Sequence, residues 1–201
     1  DASGLAMTGT NPIVPFATLA KTGDIDFATY DVAVGITKAE TSKDAFTTGG
    51  NVKITANQAV PAGLAATINA LLITGGAVID ATNPLTVSAG LIFASGTGNQ
   101  INNGTVTLGA AAATIFAPNA PSSDADSALT IGSAVAGAAT SLDKMGAGRV
   151  VLSGNNTYAG ATNVREGAVR ATSATALGGA GATAVSGGAA LEVSAATALT
   201  I

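Results

Sequence analysis

Short apolar segments recur through the second half of the chain at a nearly constant interval. Within each one, larger apolar residues alternate with smaller or polar ones, which indicates strands with one buried face. The segments start at intervals of 23, 21, 19 and 22 residues. They are TVTL at 105, ALTI at 128, RVVL at 149, AVRA at 168 and ALEV at 190. An imperfect repeat of about 21 residues predicts small units stacked on one another.

Glycine and asparagine separate these segments, as at Gly154, Asn155 and Asn156. Both residue types tolerate the positive φ values of sharp corners. Short strands joined by such corners predict an all-β fold, a parallel β-helix (β-solenoid) with about 20 residues per coil and strands of neighbouring coils about 4.8 Å apart. Its narrow interior suits Ala, Val, Leu and Ile, which agrees with an aromatic content of only 3%.

Several kinds of chemistry are excluded by the composition of the 201-residue chain. It has no His and no Cys, so it lacks a Ser-His-Asp or Cys-His nucleophile pair, a thiolate zinc site and a thiol redox centre. A net charge of -4 and scattered basic residues argue against a nucleic-acid partner, which requires a basic stripe.

A membrane-spanning segment is not predicted, although the mean hydropathy is positive at +0.46. No window approaches the roughly 18 uninterrupted apolar residues that a spanning helix needs, and Pro61 and Gly63 interrupt the run at 59–66. The chain starts at Asp1 without a basic segment followed by an apolar one. We therefore expect that any signal peptide has been removed or was never included.

The stretch MGAGRVVLSGNNTYAGATNVREGAVRA at 145–171 is the most specific motif of the chain. It resembles the passenger-associated repeat of bacterial autotransporters, whose pattern is roughly KxGxGxLxLSGxNxYxGxTxVxxGxL. Val150 and Val169 stand where Leu is usual, and Ala161 where Gly is common. The positions that fall on the pattern are Lys144, Gly146, Gly148, Val150, Leu152, Ser153, Gly154, Asn156, Tyr158, Gly160, Thr162, Val164, Gly167 and Val169.

This resemblance implies a right-handed parallel β-helix in a secreted bacterial surface protein, located outside the cell or on its outer surface. The expected function is that of a rigid stalk, an adhesin shaft or an extracellular fibre unit, without enzyme activity. The alternatives are a carbohydrate-acting β-helix enzyme and an adhesin module that binds a ligand. A looser resemblance to regions that precede such repeats covers DFATYD at 26–31 and the stretch at 51–79.

We expect a less regular, capping N-terminal segment at 1–50 and a β-helix at 51–201. The loop at 117–128 carries two prolines and polar residues and is predicted to leave the coil. The chain ends in the apolar ALTI at 198–201, which would leave an unpaired strand edge. This predicts a fragment of a longer protein, or end-to-end self-association through the terminal strand near Ile201.

One segment, PAGLAATINALLI at 61–73, fits two kinds of secondary structure. Leu64, Ile68 and Leu71 lie at helical spacing, and Pro61 suits a first helical turn. The β-branched residues and the following TGGAVI favour strands instead. Strands are the prediction, with a helix as the alternative.

Candidate sites for chemistry are weak throughout the chain. Gly146-Ala147-Gly148 lacks the third glycine and the helix of a dinucleotide site, so a turn is favoured. Asp24 with Asp26, and Asp124 with Asp126, could bind calcium or act as acid and base of a polysaccharide hydrolase. Neither pair lies in a complete calcium loop, and solvated loop residues are the simpler interpretation. No catalytic, cofactor-binding or metal-binding residue is predicted, and no cofactor.

The remaining polar residues of the motif have structural interpretations. Asn155, Asn156 and Asn163 are expected at corners, where stacked asparagine side chains can form hydrogen-bond ladders along the axis. Tyr158 is expected to pack over a coil corner, with an exposed contact residue as the alternative. Glycan or other surface contacts are further partners that the resemblance permits.

Two further patterns suggest surface roles but match only short stretches. The tripeptides at 103–105 and 155–157 fit the glycosylation acceptor pattern, which occurs often by chance. Thr105 and Thr107 place hydroxyls on one strand face, as in an ice-binding surface, but one pair does not form a ladder.

Overall fold

The computed structural model describes residues 13–21, 24–31, 35–38, 41–63, 65–123, 126–137, 141–179 and 181–194. The chain divides into two compact units, Asp1–Thr41 and Ser42–Ile201. Every regular element in the described residues is a strand. The strands are β1 (Ile13–Lys21), β2 (Asp24–Asp31), β3 (Gly35–Lys38), β4 (Thr41–Lys43), β5 (Asn51–Ile54), β6 (Gln58–Ala59), β7 (Ala66–Thr74), β8 (Val78–Asp80), β9 (Leu85–Ser95), β10 (Asn99–Asn102), β11 (Thr105–Leu108), β12 (Ala112–Phe116), β13 (Leu129–Ile131), β14 (Ala134–Ala136), β15 (Ser141–Met145), β16 (Arg149–Leu152), β17 (Ala161–Val164), β18 (Ala168–Ala171), β19 (Thr183–Val185) and β20 (Ala190–Val193).

The first unit contains a three-stranded sheet in the order β1-β2-β3. Both pairings are antiparallel, in contrast to the parallel pairings of the second unit. Asp26 and Phe27, in the middle of β2, are buried.

The second unit is a stack of coils whose strands pair in parallel with those of the coils before and after. One face consists of β6, β8, β10, β13, β16, β18 and β20 in that order. A second face consists of β5, the later part of β7 and of β9, then β12, β15, β17 and β19. The early part of β7 and of β9, with β11 and β14, forms a shorter third face. This arrangement confirms the predicted parallel β-helix.

Successive coils of the first face pair in strict register. Thr130 pairs with Val151, Val151 with Arg170, and Arg170 with Glu192, so these coils advance by 21, 19 and 22 residues. Four of the five segments that revealed the repeat belong to this face. The fifth, TVTL, is β11 on the short face, and the equivalent strand of its coil is β10. Its similar spacing reflects the nearly equal lengths of the coils and not a shared face.

The core is formed by inward-facing side chains that lie above one another along the axis. On the first face Ile79, Ile101, Ile131 and Leu152 form such a row, and all four are buried. Phe93 and Phe116 are outside the main apolar cluster and contact each other with ring centroids 5.3 Å apart. Alanine and branched aliphatic side chains therefore fill most of the narrow interior.

The segment with two interpretations is a strand. β7 covers Ala66–Thr74, and within it Ile68, Leu71 and Ile73 are buried in the core. Parallel pairing with β5 and β9 on either side satisfies the backbone of this segment, so the helical alternative is wrong. Leu64 lies outside the described residues.

Two corners show why glycine is required where the chain turns. Gly90 has φ +64° and lies in β9 between the parts that belong to different faces, where a Cβ would come within 2.8 Å of the Ala110 Cβ. Asn103 and Gly104 have φ values of +62° and +44° and connect β10 to β11. In the described part of the chain, no helix is long and apolar enough to cross a membrane.

Candidate functional site

The repeat motif places buried polar side chains between successive coils. Residues 154–158 alternate between buried and exposed positions although they form no strand. Gly154, Asn156 and Tyr158 are buried, whereas Asn155 and Thr157 are exposed. This irregular segment continues the short face beyond β14, because the Thr157 N–H donates to the Val135 carbonyl at 2.8 Å.

Asn156 connects three coils through one side-chain amide. Its Oδ1 accepts from the Val135 N–H at 2.8 Å, and its Nδ2 donates to the Ala176 carbonyl at 2.5 Å. The amide therefore acts as an additional peptide group that extends the axial hydrogen bonding where the backbone is irregular. Asn156 thus bonds along the axis, but to backbone groups and not to stacked asparagine side chains, so the predicted asparagine ladder does not form at this residue.

Asn99 uses the same arrangement elsewhere in the stack. It is fully buried, accepts from the Gly76 N–H at 3.1 Å and donates to the Ala128 carbonyl at 2.8 Å. Both asparagines accept from the preceding coil and donate to the following one. The sequence analysis did not identify Asn99 as a residue that connects coils. Its position directly after the corner glycines Gly96 and Gly98 is the sequence feature that could have indicated this role.

The other two asparagines of the motif differ from Asn156. Asn155 is exposed and lies 3.5 Å from the Thr175 hydroxyl. Asn163 lies within β17 and not at a corner, and its Nδ2 donates to the Asp143 carboxylate at 2.7 Å. Arg165 forms an ion pair with the same carboxylate at 3.2 Å.

Replacing Asn156 with alanine should lower the free energy of unfolding by about 2–4 kcal/mol, because it leaves the Val135 N–H and the Ala176 carbonyl buried without partners. Asn155→Ala changes the exposed neighbour and should stay within about 0.5 kcal/mol of the wild type. Urea denaturation of both variants measures the difference. Equal stabilities would show that the amide of Asn156 does not connect the coils.

Tyr158 is fully buried at 0% exposure and belongs to the core. Its hydroxyl lies 2.6 Å from the Thr162 hydroxyl, which also donates to the Leu177 carbonyl at 3.2 Å. Burial raises the pKa of Tyr158 to about 12, although the hydrogen bond with Thr162 opposes the shift. Tyr158 is therefore an interior packing residue, and its alternative as an exposed contact is wrong.

Lys144 occupies a core position of the second face. It is 1% exposed, and burial lowers the pKa of its amine from 10.5 to about 8, against the opposing charge of Glu166. Sequence reasoning assigned it only to the motif. The signal for its orientation was the apolar Leu142 two residues earlier, since residues two apart on a strand share a face.

The free energy of unfolding should rise between pH 8 and about 10.5 because of Lys144. Below pH 8 the amine is protonated in both states, whereas between these values only the unfolded chain keeps the proton. The gain in the free energy of unfolding is at most about 3 kcal/mol, since one pKa unit corresponds to about 1.4 kcal/mol. Denaturant titrations from pH 7 to 11 on wild type and Lys144→Met test this, and an equal rise in both proteins would contradict it.

The raised pKa of Tyr158 has the opposite effect from pH 10 upward. The unfolded chain then loses the tyrosine proton first, so the free energy of unfolding falls as the pH rises further.

Arg149 connects the loop at 117–128 to the coil stack. Its guanidinium donates to the carbonyls of Ser123 and Asp126, and its backbone carbonyl accepts from the Ala128 N–H. It also forms a 2.9 Å ion pair with Glu192, which pairs with Arg170 at 2.6 Å. Burial works to raise the pKa of Glu192, but hydrogen bonds from the two arginines hold it below its usual value.

The predicted loop at 117–128 lies between Phe116 at the end of β12 and Leu129 at the start of β13. A backbone hydrogen bond joins the start of the loop to the corner between β15 and β16, since the Gly148 N–H donates to the Ala117 carbonyl at 2.8 Å. The loop is thus held at its first residue, Ala117, by the backbone of Gly148, and at Ser123 and Asp126 by the side chain of Arg149.

Only one side chain of each candidate aspartate pair lies in the described part of the chain. Asp26 is buried on β2, and the side chain of Asp24 is not described. Asp126 accepts a short hydrogen bond from the Ser122 hydroxyl, and Asp124 lies outside the described residues. No cluster of three or more metal-ligating side chains occurs among the residues that the structure describes.

Of the two threonines on β11, Thr107 belongs to a row of threonines along the axis, whereas Thr105 pairs with Ala134. Thr107 is in register with Thr86, and Thr86 with Thr67, so three hydroxyl residues form a row across three coils. The row stops at Ala136, the partner of Thr107 in the next coil. Gly146-Ala147-Gly148 is a corner between β15 and β16, with φ +80° at Gly146, and not a phosphate loop.

Residues 142–171 match the sequence profile of the passenger-associated-transport-repeat. The matched segment includes most of β15 and all of β16, β17 and β18, which are successive strands of the two long faces. No curated protein and no solved structure matches the chain. The sequence match and the stacked coils agree: residues 142–171 are similar to the passenger-associated-transport-repeat, and they lie within a parallel β-helix.

Proposed function

We propose that this chain is a rigid, non-catalytic segment of a secreted bacterial surface protein, where it serves as a stalk or extracellular fibre unit with adhesive contacts along its sides. The observation that supports this most directly is the axial bonding. Backbone pairing between coils is reinforced by buried side-chain amides, such as those of Asn99 and Asn156, that each connect three successive coils. A stack bonded along its axis resists bending and local opening, which is what a shaft requires.

The acidic side chains of the second unit support a structural role over a carbohydrate-acting enzyme. Asp143 binds Asn163 and Arg165, and Glu192 binds two arginines. A glycosidase needs two carboxylates facing each other across a substrate cleft, whereas these carboxylates link neighbouring coils. The enzyme alternative predicts that the protein releases reducing sugars from bacterial or host polysaccharides. Such release would contradict a non-catalytic function.

Location and shape test the proposal together. Protease treatment of intact producing cells should remove the protein's epitopes if it is exposed at the surface, while a cytoplasmic marker stays intact. Electron microscopy of the native material should then show rods of constant width. An intracellular location, or compact particles without rods, would contradict a surface stalk.

We also propose that two copies of the chain associate end to end, because apolar side chains are exposed at the end of the stack. Val185 on β19 and Val193 on β20 are the large hydrophobic side chains exposed in the described part of the chain, and these strands are terminal in their sheets. The terminal strand near Ile201, the predicted contact, lies outside the described residues. Filaments with one copy stacked on the next would support end-to-end association, and rods longer than one chain without subunit boundaries would favour a single long passenger.

A further inference from the structure

Lys144 stands at a position that its neighbours along the axis fill with aliphatic side chains. The row on the second face pairs Leu71 with Ile92, Ile92 with Ile115, Ile115 with Lys144, and Lys144 with Val164. An amine in such a row requires compensation, because burying an unpaired polar group is costly.

Three backbone carbonyls provide that compensation. The Nζ of Lys144 donates to the oxygens of Met145 at 3.1 Å, Gly146 at 2.7 Å and Glu166 at 3.0 Å. Three acceptors match the three N–H donors of a primary ammonium group. The first carbonyl belongs to the last residue of β15, the second to the corner that follows it, and the third to the corner after β17 in the next coil.

The carboxylate of Glu166 completes the environment. Its Oε2 accepts from the Gly146 N–H at 3.0 Å, and its negative charge favours the protonated amine. The two corners are thereby connected twice, once through the amine of Lys144 and once through the side chain of Glu166.

We propose that the corner carbonyls of these two coils form a binding site for a primary amine or ammonium group, and that Lys144 supplies this group from within the chain to couple the coils. The aliphatic part of Lys144 only replaces the apolar packing of its row. The N–H donors are what the site requires, and the neutral amine keeps two of them whereas methionine has none.

The absence of cysteine from the sequence allows a test in which only the amine changes. Lys144→Cys is alkylated in denaturant either with 2-bromoethylamine, which makes a thioether analogue of lysine, or with 1-bromopropane, which places a methyl group where the amine would be. Both products are refolded, and their melting temperatures are compared with that of the wild type.

The aminoethyl product should melt within about 2 °C of the wild type. The propyl product should melt about 5–10 °C lower, because it loses one hydrogen bond to the buried Gly146 carbonyl and two to partly buried carbonyls, and an unsatisfied buried acceptor costs about 1–3 kcal/mol. Equal melting temperatures of the two products would overturn the proposal. Lys144→Met, which needs no chemical step, provides an independent comparison at pH 7. A melting temperature of this variant at or above that of the wild type would also overturn it.

Discussion

Gly154→Ala should lower the melting temperature by about 10 °C or prevent folding. A Cβ at this position would overlap the Ser133 carbonyl oxygen and lie 2.7 Å from the Ser133 carbonyl carbon. The clash involves the backbone of the preceding coil, so no side-chain rotation relieves it and the coils must separate locally. Overpacking typically costs about 1–3 kcal/mol, and a backbone clash that cannot relax lies at or above the upper end of this range. One kcal/mol corresponds to about 2–4 °C in a domain of this size.

Gly187→Ala is the matched control for this substitution. A Cβ at Gly187 meets no atom within 4 Å, and Gly187 is not among the residues with positive φ. Its melting temperature should stay within about 2 °C of the wild type. Thermal unfolding followed by circular dichroism gives the melting temperatures of both variants. An unchanged melting temperature of Gly154→Ala would show that the coils at this corner are farther apart than in the structure.

Tyr158→Ala should destabilise the protein by about 4 kcal/mol. The ring is fully buried in the core, and its deletion leaves a cavity that stacked, hydrogen-bonded coils cannot close. The chain also approaches the ring closely from the next coil, since a Cβ at Gly178 would lie 2.7 Å from the Tyr158 Cε2. The ring therefore fills the space that this glycine leaves.

Tyr158→Phe separates packing from hydrogen bonding at the same site. This variant keeps the ring and loses the hydroxyl, while Thr162 keeps its bond to the Leu177 carbonyl, so we expect a loss of only about 1 kcal/mol. Guanidinium denaturation of both variants gives the comparison. If the alanine variant were as stable as the phenylalanine variant, Tyr158 would not pack in the interior.

The strands and corners could be read from the sequence because they depend on local patterns. Alternation of residue types in RVVL and ALEV indicates one buried face, and glycines between such segments indicate turns. The same local pattern cannot show which face of a coil a strand joins, which is why TVTL was placed in the same series as strands of another face. The choice of face depends on how many residues each earlier corner uses.

The buried polar residues illustrate the opposite case. The repeat pattern includes Asn156 and not Asn155, but it does not show that Asn156 connects three coils whereas Asn155 faces solvent. For Lys144 the alternation with Leu142 indicates the inward orientation, but the carbonyls of Gly146 and Glu166 that accept from its amine come together only when the coils stack.

By itself, the sequence determined a stack of parallel strands with coils of about 21 residues and a resemblance to the passenger-associated repeat at 144–171. Only the tertiary structure decided which polar side chains enter the interior and that Arg149 anchors the loop. The physical reason is that strand pattern and turn propensity are properties of neighbours in sequence. Hydrogen bonding between coils instead joins residues about 20 positions apart, whose contacts exist only after stacking.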